Sequence, residues 1–196
     1  MASMTSASTQ VPPEETLPPS DMMLPDLFEV IDGVVVELPP MGFKQLALAN
    51  ELKRLIDAYL SERSLGRFFV EGLFDLRPAI HRNRRPDGAF VSFDRWPKTR
   101  EFPDDNALPA VPDLSVEFVS RTDHAIELLE KVHEYFAAGT QLVWVVYPSV
   151  GQVYVYSSTT EVRILGRADS LDGGEVLPGF VLPLAELFGP EAEQGG

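Results

Sequence analysis

The chain has 196 residues, enough for one domain with a substantial core, and its 44% hydrophobic and 23% charged content is ordinary for a globular protein. It has no cysteine, which excludes a disulfide framework and a thiolate zinc site. Its 16 basic against 30 acidic side chains give a net charge of −14, which counts against broad, non-specific coating of nucleic acid. A small site where a metal ion and local basic groups offset the field is still compatible with that balance.

No run approaches the ~20 apolar residues of a membrane helix. Residues 1–21, rich in Ser, Thr and Pro, lack the basic start and apolar stretch of a secretory signal. They read as a disordered leader on a cytoplasmic protein. A single ordered domain is expected over 22–190, with a flexible tail at 191–196.

FEVIDGVVVELPP (28–40) reads as a β-hairpin, with Asp32-Gly33 as the turn between apolar runs and Pro39-Pro40 as the stop. Residues 43–62 read as a helix with Leu48, Leu52, Leu55, Ile56 and Tyr59 on one face. RFFVEGLFDLRP (67–78) reads as one strand kinked near Gly72, AIHRNRRP (79–86) as a basic loop, and DGAFVSFDR (87–95) as a further strand. Residues 95–110 look like an exposed excursion.

VPDLSVEFVS (111–120) is a strand whose two faces differ, because side chains alternate. Leu114, Val116 and Phe118 form an apolar face. Asp113, Ser115, Glu117 and Val119 form the opposite one. A second helix is expected over 124–138, capped by Asp123 and ended by Gly139, with Ala125, Leu128, Leu129, Val132 and Phe136 inward. LVWVVYP (142–148) has the continuous apolarity of a central strand covered on both faces, and QVYVYS pairs with it. A turn at 172–174 and LPGFVLPLAELF complete the order: an α/β (α+β) fold with a mixed central sheet flanked by helices.

An unpaired carboxylate is costly in a strand, so Glu117 calls for a partner. Asp87 begins the preceding strand. If the two strands are neighbours, both acids meet at one end of the sheet, and hard oxygen ligands with open positions suit Mg²⁺ or Mn²⁺. Lys131, three residues after Leu128 and four before Tyr135, borders the buried face of the second helix. Its stem could reach Glu117.

Taken with these segments, the run from PDLSVE through EKVHEYFAAG to LVWVV resembles the Uma-two family of restriction endonucleases in the PD-(D/E)XK nuclease superfamily. The likeness spans about Phe28 to Phe188. It implies a restriction-endonuclease-like fold and DNA as substrate, with a homodimer supplying one site per strand. Asp87 and Glu117 would hold Mg²⁺ or Mn²⁺, with the Phe118 carbonyl as a further ligand. Lys131 would replace the usual lysine, whose place is taken by Val119. Glu29 matches a family acid near the site. Two positions depart from the family: Gln45 stands near a usual histidine, and Tyr147-Pro148 replaces Asp-Pro.

Each residue also has a simpler reading. Asp87 could be a turn residue after Pro86, and Glu117 a half-exposed acid paired to Arg77 or Arg85. Lys131 could pair with Glu127 one helical turn away, and Glu29 could lie on an exposed hairpin face. Arg82, Arg84 and Arg85 could contact phosphate beside the site, or form a solvated loop with Arg77 and His81. His81, His124 and His133 lack metal-binding spacing, and there is no G-x-S-x-G elbow or phosphate-binding G-x-x-x-x-G-K-[ST] loop. The alternative to an enzyme is a degenerate nuclease fold that serves binding or assembly.

Overall fold

The Asp32-Gly33 pair turns the chain with positive φ at both residues (50° and 80°), the geometry that matches the twist of a hairpin. It joins β1 (Phe28–Ile31) to β2 (Val34–Glu37) as expected. The computed structural model describes residues 24–104 and 107–189, so the expected leader and the tail at 191–196 lie outside the described residues.

Helix α1 (Phe43–Ser61) buries Ala49, Leu52, Ile56 and Leu60. Next, the run read as one kinked strand is two strands in different sheets. β3 (Gly66–Val70) ends at Glu71, whose φ is +52°, and β4 (Phe74–Asp75) starts after that break. The left-handed backbone at Glu71 is held from both sides: its N–H donates to the Asp87 carbonyl, and its carbonyl accepts from Arg85 Nη1 at 2.5 Å. The stretch read as a basic loop is also ordered. It forms a single helical turn, α2 (Arg77–Ile80), and then strand β5 (Arg82–Arg84), which pairs with both β1 and β4.

The main sheet has six strands. They are β3, β6 (Gly88–Ser92), β7 (Leu114–Phe118), β8 (Leu142–Tyr147), β9 (Gln152–Tyr156) and β10 (Val162–Leu165), side by side in the order β10-β9-β8-β7-β6-β3. Only β7 and β8 are parallel, and helix α3 (Ala125–Ala138) makes the crossover that a parallel pair requires. The chain ends its described part with the pair β11 (Ser170–Gly173) and β12 (Leu177–Pro183) and helix α4 (Leu184–Phe188). β1, β2, β5 and β4 form a second, four-stranded sheet.

Two cores follow from the alternation along β7. Leu114, Val116 and Phe118 pack with α1, β12 and α4. On the other face Val132 and Tyr135 of α3 pack on Val143 and Val145 of β8. Both faces of β7 are therefore roofed by helices, and the polar face expected there is a buried one. Gly139 ends α3 in the left-handed conformation (φ 104°), as expected.

Two expectations about α3 need correction. Asp123 does not cap it; His124 occupies that position without a side-chain bond, and Asp123 accepts from the Ser120 N–H and hydroxyl instead. Its inward face is also rotated. Ala125 is exposed and Leu129 is 47% exposed, while Tyr135 is fully buried, in keeping with its expected place on the buried face. The helix turns its tyrosine inward because a carboxylate waits beneath it.

Candidate metal and catalytic site

Gly88 faces Val116 across the antiparallel β6–β7 pair. One step further, Asp87 lies opposite Glu117, and directly opposed side chains share a face. Glycine is required next to Asp87 by close approach. A Cβ on Gly88 would lie 2.7 Å from Phe68 Cζ and 3.3 Å from Val116 Cβ. Asp87 Oδ2 accepts the Phe118 N–H at 2.6 Å, which ties the start of β6 to the end of β7. Burial, then the charge of Glu117, pushes the Asp87 carboxyl up to about 8.

Glu117 is only 6% exposed. Tyr135, from α3, donates to its Oε1 at 2.5 Å, and Lys131, one helical turn earlier, donates to Oε2 at 3.2 Å. Burial raises the Glu117 carboxyl, while Lys131 and the Tyr135 hydroxyl oppose the rise. The Tyr135 phenol is pushed well above its ordinary range by burial and by the charge of Glu117, so it stays a neutral donor. Burial disfavours the Lys131 ammonium, but Glu117, Glu29 and Asp87 outweigh it and raise its pKa. Lys131 is therefore held as an ammonium cation.

Glu29 lies in the second sheet, 1% exposed rather than on an open hairpin face. Its Oε2 accepts from Arg84 Nη1 at 2.5 Å and its Oε1 from the Arg85 N–H at 2.9 Å, and Lys131 Nζ stands 3.8 Å from Oε1. Arg84 in turn donates through Nε to Glu134 of α3 at 2.6 Å, and Arg82 reaches the other oxygen of Glu134 at 2.5 Å. The result is a ladder of alternating charge from Arg82 through Glu134, Arg84, Glu29 and Lys131 to Glu117. It bridges both sheets through α3.

The geometry thus brings Asp87, Glu117, Lys131 and Glu29 together. Lys131 pairs across the fold with Glu117 and Glu29 rather than along its helix with Glu127. Glu117 pairs with this lysine rather than with Arg77, which bonds Asp75, or Arg85. The three arginines lie within the same assembly: Arg84 is buried between two carboxylates, Arg82 joins Glu134 to Asp32, and Arg85 donates to backbone carbonyls of Phe28 and Glu71. Sequence reasoning missed Glu134 and Tyr135 as members of the site. The available signal was their place three and four residues after Lys131, on the face of α3 that meets the polar face of β7.

A divalent ion can be tested against these residues. Among the described residues no group of three or more His, Asp or Glu side chains forms a metal cage. Mg²⁺ does not need one, since it is usually held by one or two carboxylates, with water and substrate phosphate filling the remainder. Asp87 and Glu117 supply two hard oxygen donors on one face. Among the described residues Asp87 forms no ion pair, and burial, then the charge of Glu117, raises its carboxyl, so a cation placed between the two acids would offset both effects. The donor set fits.

A mixed sheet roofed by helices, with two acids and a lysine gathered at the end of its middle strands, defines a nuclease-like fold. The chain belongs to the Uma2 family, described as "Putative restriction endonuclease", which it matches over residues 23–185. It also shares its fold with a crystal structure described as a "putative nuclease belonging to DUF820" from Anabaena variabilis, at a TM-score of 0.70 and 20% identity. The match covers 82% of this chain and 89% of that one. A comparison with curated proteins found no match. Among the described residues no helix is long and apolar enough to cross a membrane.

Proposed function

We propose that this protein is a Mg²⁺- or Mn²⁺-dependent endonuclease that hydrolyses phosphodiester bonds in DNA. The observation that carries this reading is the convergence of Asp87, Glu117 and Lys131 from three separate elements, inside the frame of the Uma2 family. Asp87 and Glu117 hold the ion. A residue's N–H and C=O leave a strand on the same edge, and Phe118 N–H bonds Asp87, so the Phe118 carbonyl would be on hand as a third ligand. When bound, the ion acidifies water and offsets charge on the phosphate oxygens.

The chain's own groups do the rest. Tyr135 fixes Glu117 Oε1, so Oε2, which Lys131 contacts, is the oxygen that would meet a cation. Phe118 N–H fixes Asp87. Lys131, held protonated, orients the attacking water and stabilises charge on the phosphate. A homodimer would present one such site to each strand of a duplex.

The test is cleavage. Purified protein with Mg²⁺ or Mn²⁺ is incubated with varied duplex and single-stranded DNA, and Glu117→Ala should abolish cutting while circular dichroism stays unchanged. Wild type that neither binds a divalent ion nor cuts any DNA would sink the proposal. It would instead favour a degenerate fold used for binding or assembly. That second reading draws on one feature, the pairing of both Glu117 oxygens within the protein.

A further inference from the structure

Lys131 stands between two carboxylates that belong to different sheets, 3.2 Å from Glu117 Oε2 and 3.8 Å from Glu29 Oε1. The two acids are not equivalent. Glu117 Oε1 is taken by Tyr135, so Oε2 is the oxygen that both the lysine and a divalent cation can use. Two cations on one carboxylate oxygen repel each other, and in a buried site that repulsion is poorly screened. Glu29 is fixed where it is by Arg84 Nη1 and the Arg85 N–H, and Arg84 is itself held by Glu134 from the same helix as Lys131. Glu29 is therefore a stationary acceptor on one side of a long, flexible ammonium-bearing stem. A shift of about 1 Å would bring Lys131 from 3.8 Å to the usual contact length of an ammonium–carboxylate bond.

We infer that Glu29 is the positioning residue for Lys131: it receives the ammonium when a divalent cation takes Glu117, and holds it beside the substrate. The inference rests on the nuclease reading, in that Glu117 must bind a cation. It goes beyond it by giving the hairpin acid a task that does not include touching the ion. Without a cation, Lys131 neutralises Glu117 and keeps the site stable. With one, the ladder of charges slides by one partner and every group remains paired.

The test measures Mn²⁺ binding to the full chain by calorimetry, in a double-mutant cycle. Glu29→Gln should weaken Mn²⁺ about tenfold, because the displaced ammonium then has no second acceptor. Lys131→Met should bind Mn²⁺ at least as tightly as wild type, since the competing cation is gone. Adding Glu29→Gln to Lys131→Met should then change affinity less than about twofold. An equal loss in both backgrounds would overturn the inference, because Glu29 would be acting on the ion or the fold directly. If a variant fails to fold, wild type answers by itself. A crystal soaked in Mn²⁺ should show Lys131 Nζ on Glu29 and away from Glu117. Mn²⁺ on Asp87 and Glu117 with Lys131 still on Glu117 overturns the positioning role alone. No Mn²⁺ at these acids overturns that role and the nuclease reading together.

Discussion

Replacing Arg84 by leucine should be the most damaging single change in the charge ladder. Its side chain is 6% exposed and joins the buried Glu29 to Glu134, whose side chain is 16% exposed. Glu134 keeps Arg82 in the variant, so the loss falls mainly on Glu29, which retains the Arg85 N–H and the more distant Lys131. Removing one partner of a buried ion pair costs about 3–5 kcal/mol, and these residual contacts put Arg84→Leu near the lower end. At about 3 kcal/mol, a domain of this size should lose roughly 6–12 °C in Tm. Arg82→Leu is the reference. That side chain is 25% exposed and one of its partners, Asp32, is 67% exposed, so its loss should cost about 1 kcal/mol or less. Urea unfolding followed by circular dichroism compares the two. Adding Glu29→Leu to Arg84→Leu should recover part of the loss, since a buried charge without a partner is what destabilises the single variant. If Arg84→Leu costs no more than Arg82→Leu, the buried ladder is not what ties the second sheet to α3.

Three other outcomes are expected. Tyr135→Phe removes a hydrogen bond to a buried carboxylate and should cost about 1.5–3 kcal/mol in urea unfolding, with Mn²⁺ affinity falling as Glu117 loses its anchor; an unchanged midpoint would refute the anchoring role. Asp87, raised to about 8, holds a proton in the folded state between about pH 4 and 8 that the unfolded chain has released. The cation-free protein should therefore lose stability as pH rises through that window and level off above it. Asp87→Asn should flatten the slope, and thermal melts across pH decide. Gly88→Ala should destabilise by about 1–3 kcal/mol, because its Cβ must displace the Phe68 ring or Val116, and DNA cleavage should fall with it.

Local chemistry carried much of the fold into the sequence. The Asp32-Gly33 turn, the Gly139 stop and the alternation in VPDLSVEFVS all rest on backbone geometry within a few residues, and the structure agrees with each. What a window of residues could not carry was allegiance to a sheet. RFFVEGLFDLRP has strand character on both sides of Gly72, yet nothing local says that its second half leaves for another sheet. AIHRNRRP read as solvated because arginine is usually exposed, and Arg84 is buried only because Glu29 and Glu134, 55 and 50 residues away, meet it. The same applies to α3. Counting apolar residues placed Leu129 inward, yet it is 47% exposed; Tyr135, read as lying on the buried face, is buried, with its hydroxyl on Glu117.

A lysine 14 residues beyond Glu117 does reach it: Lys131 Nζ lies 3.2 Å from Glu117 Oε2. The ammonium beside this acid comes from α3, while position 119 on the chain just after β7 is a valine.

The division of the site between two sheets has a consequence for synthesis. Chains fold from the N-terminus as they emerge. Glu29 and Arg84 leave the ribosome well before Lys131 and Glu134, so the second sheet appears with the Glu29–Arg84 pair available but without the partners that α3 adds to it. Only when α3 follows do both sheets acquire a common seam. A nascent chain long enough to include β1 through β7 already carries both acids opposite each other, but Lys131, in the middle of α3, has yet to be made. The proposed site is therefore completed only when α3 has emerged.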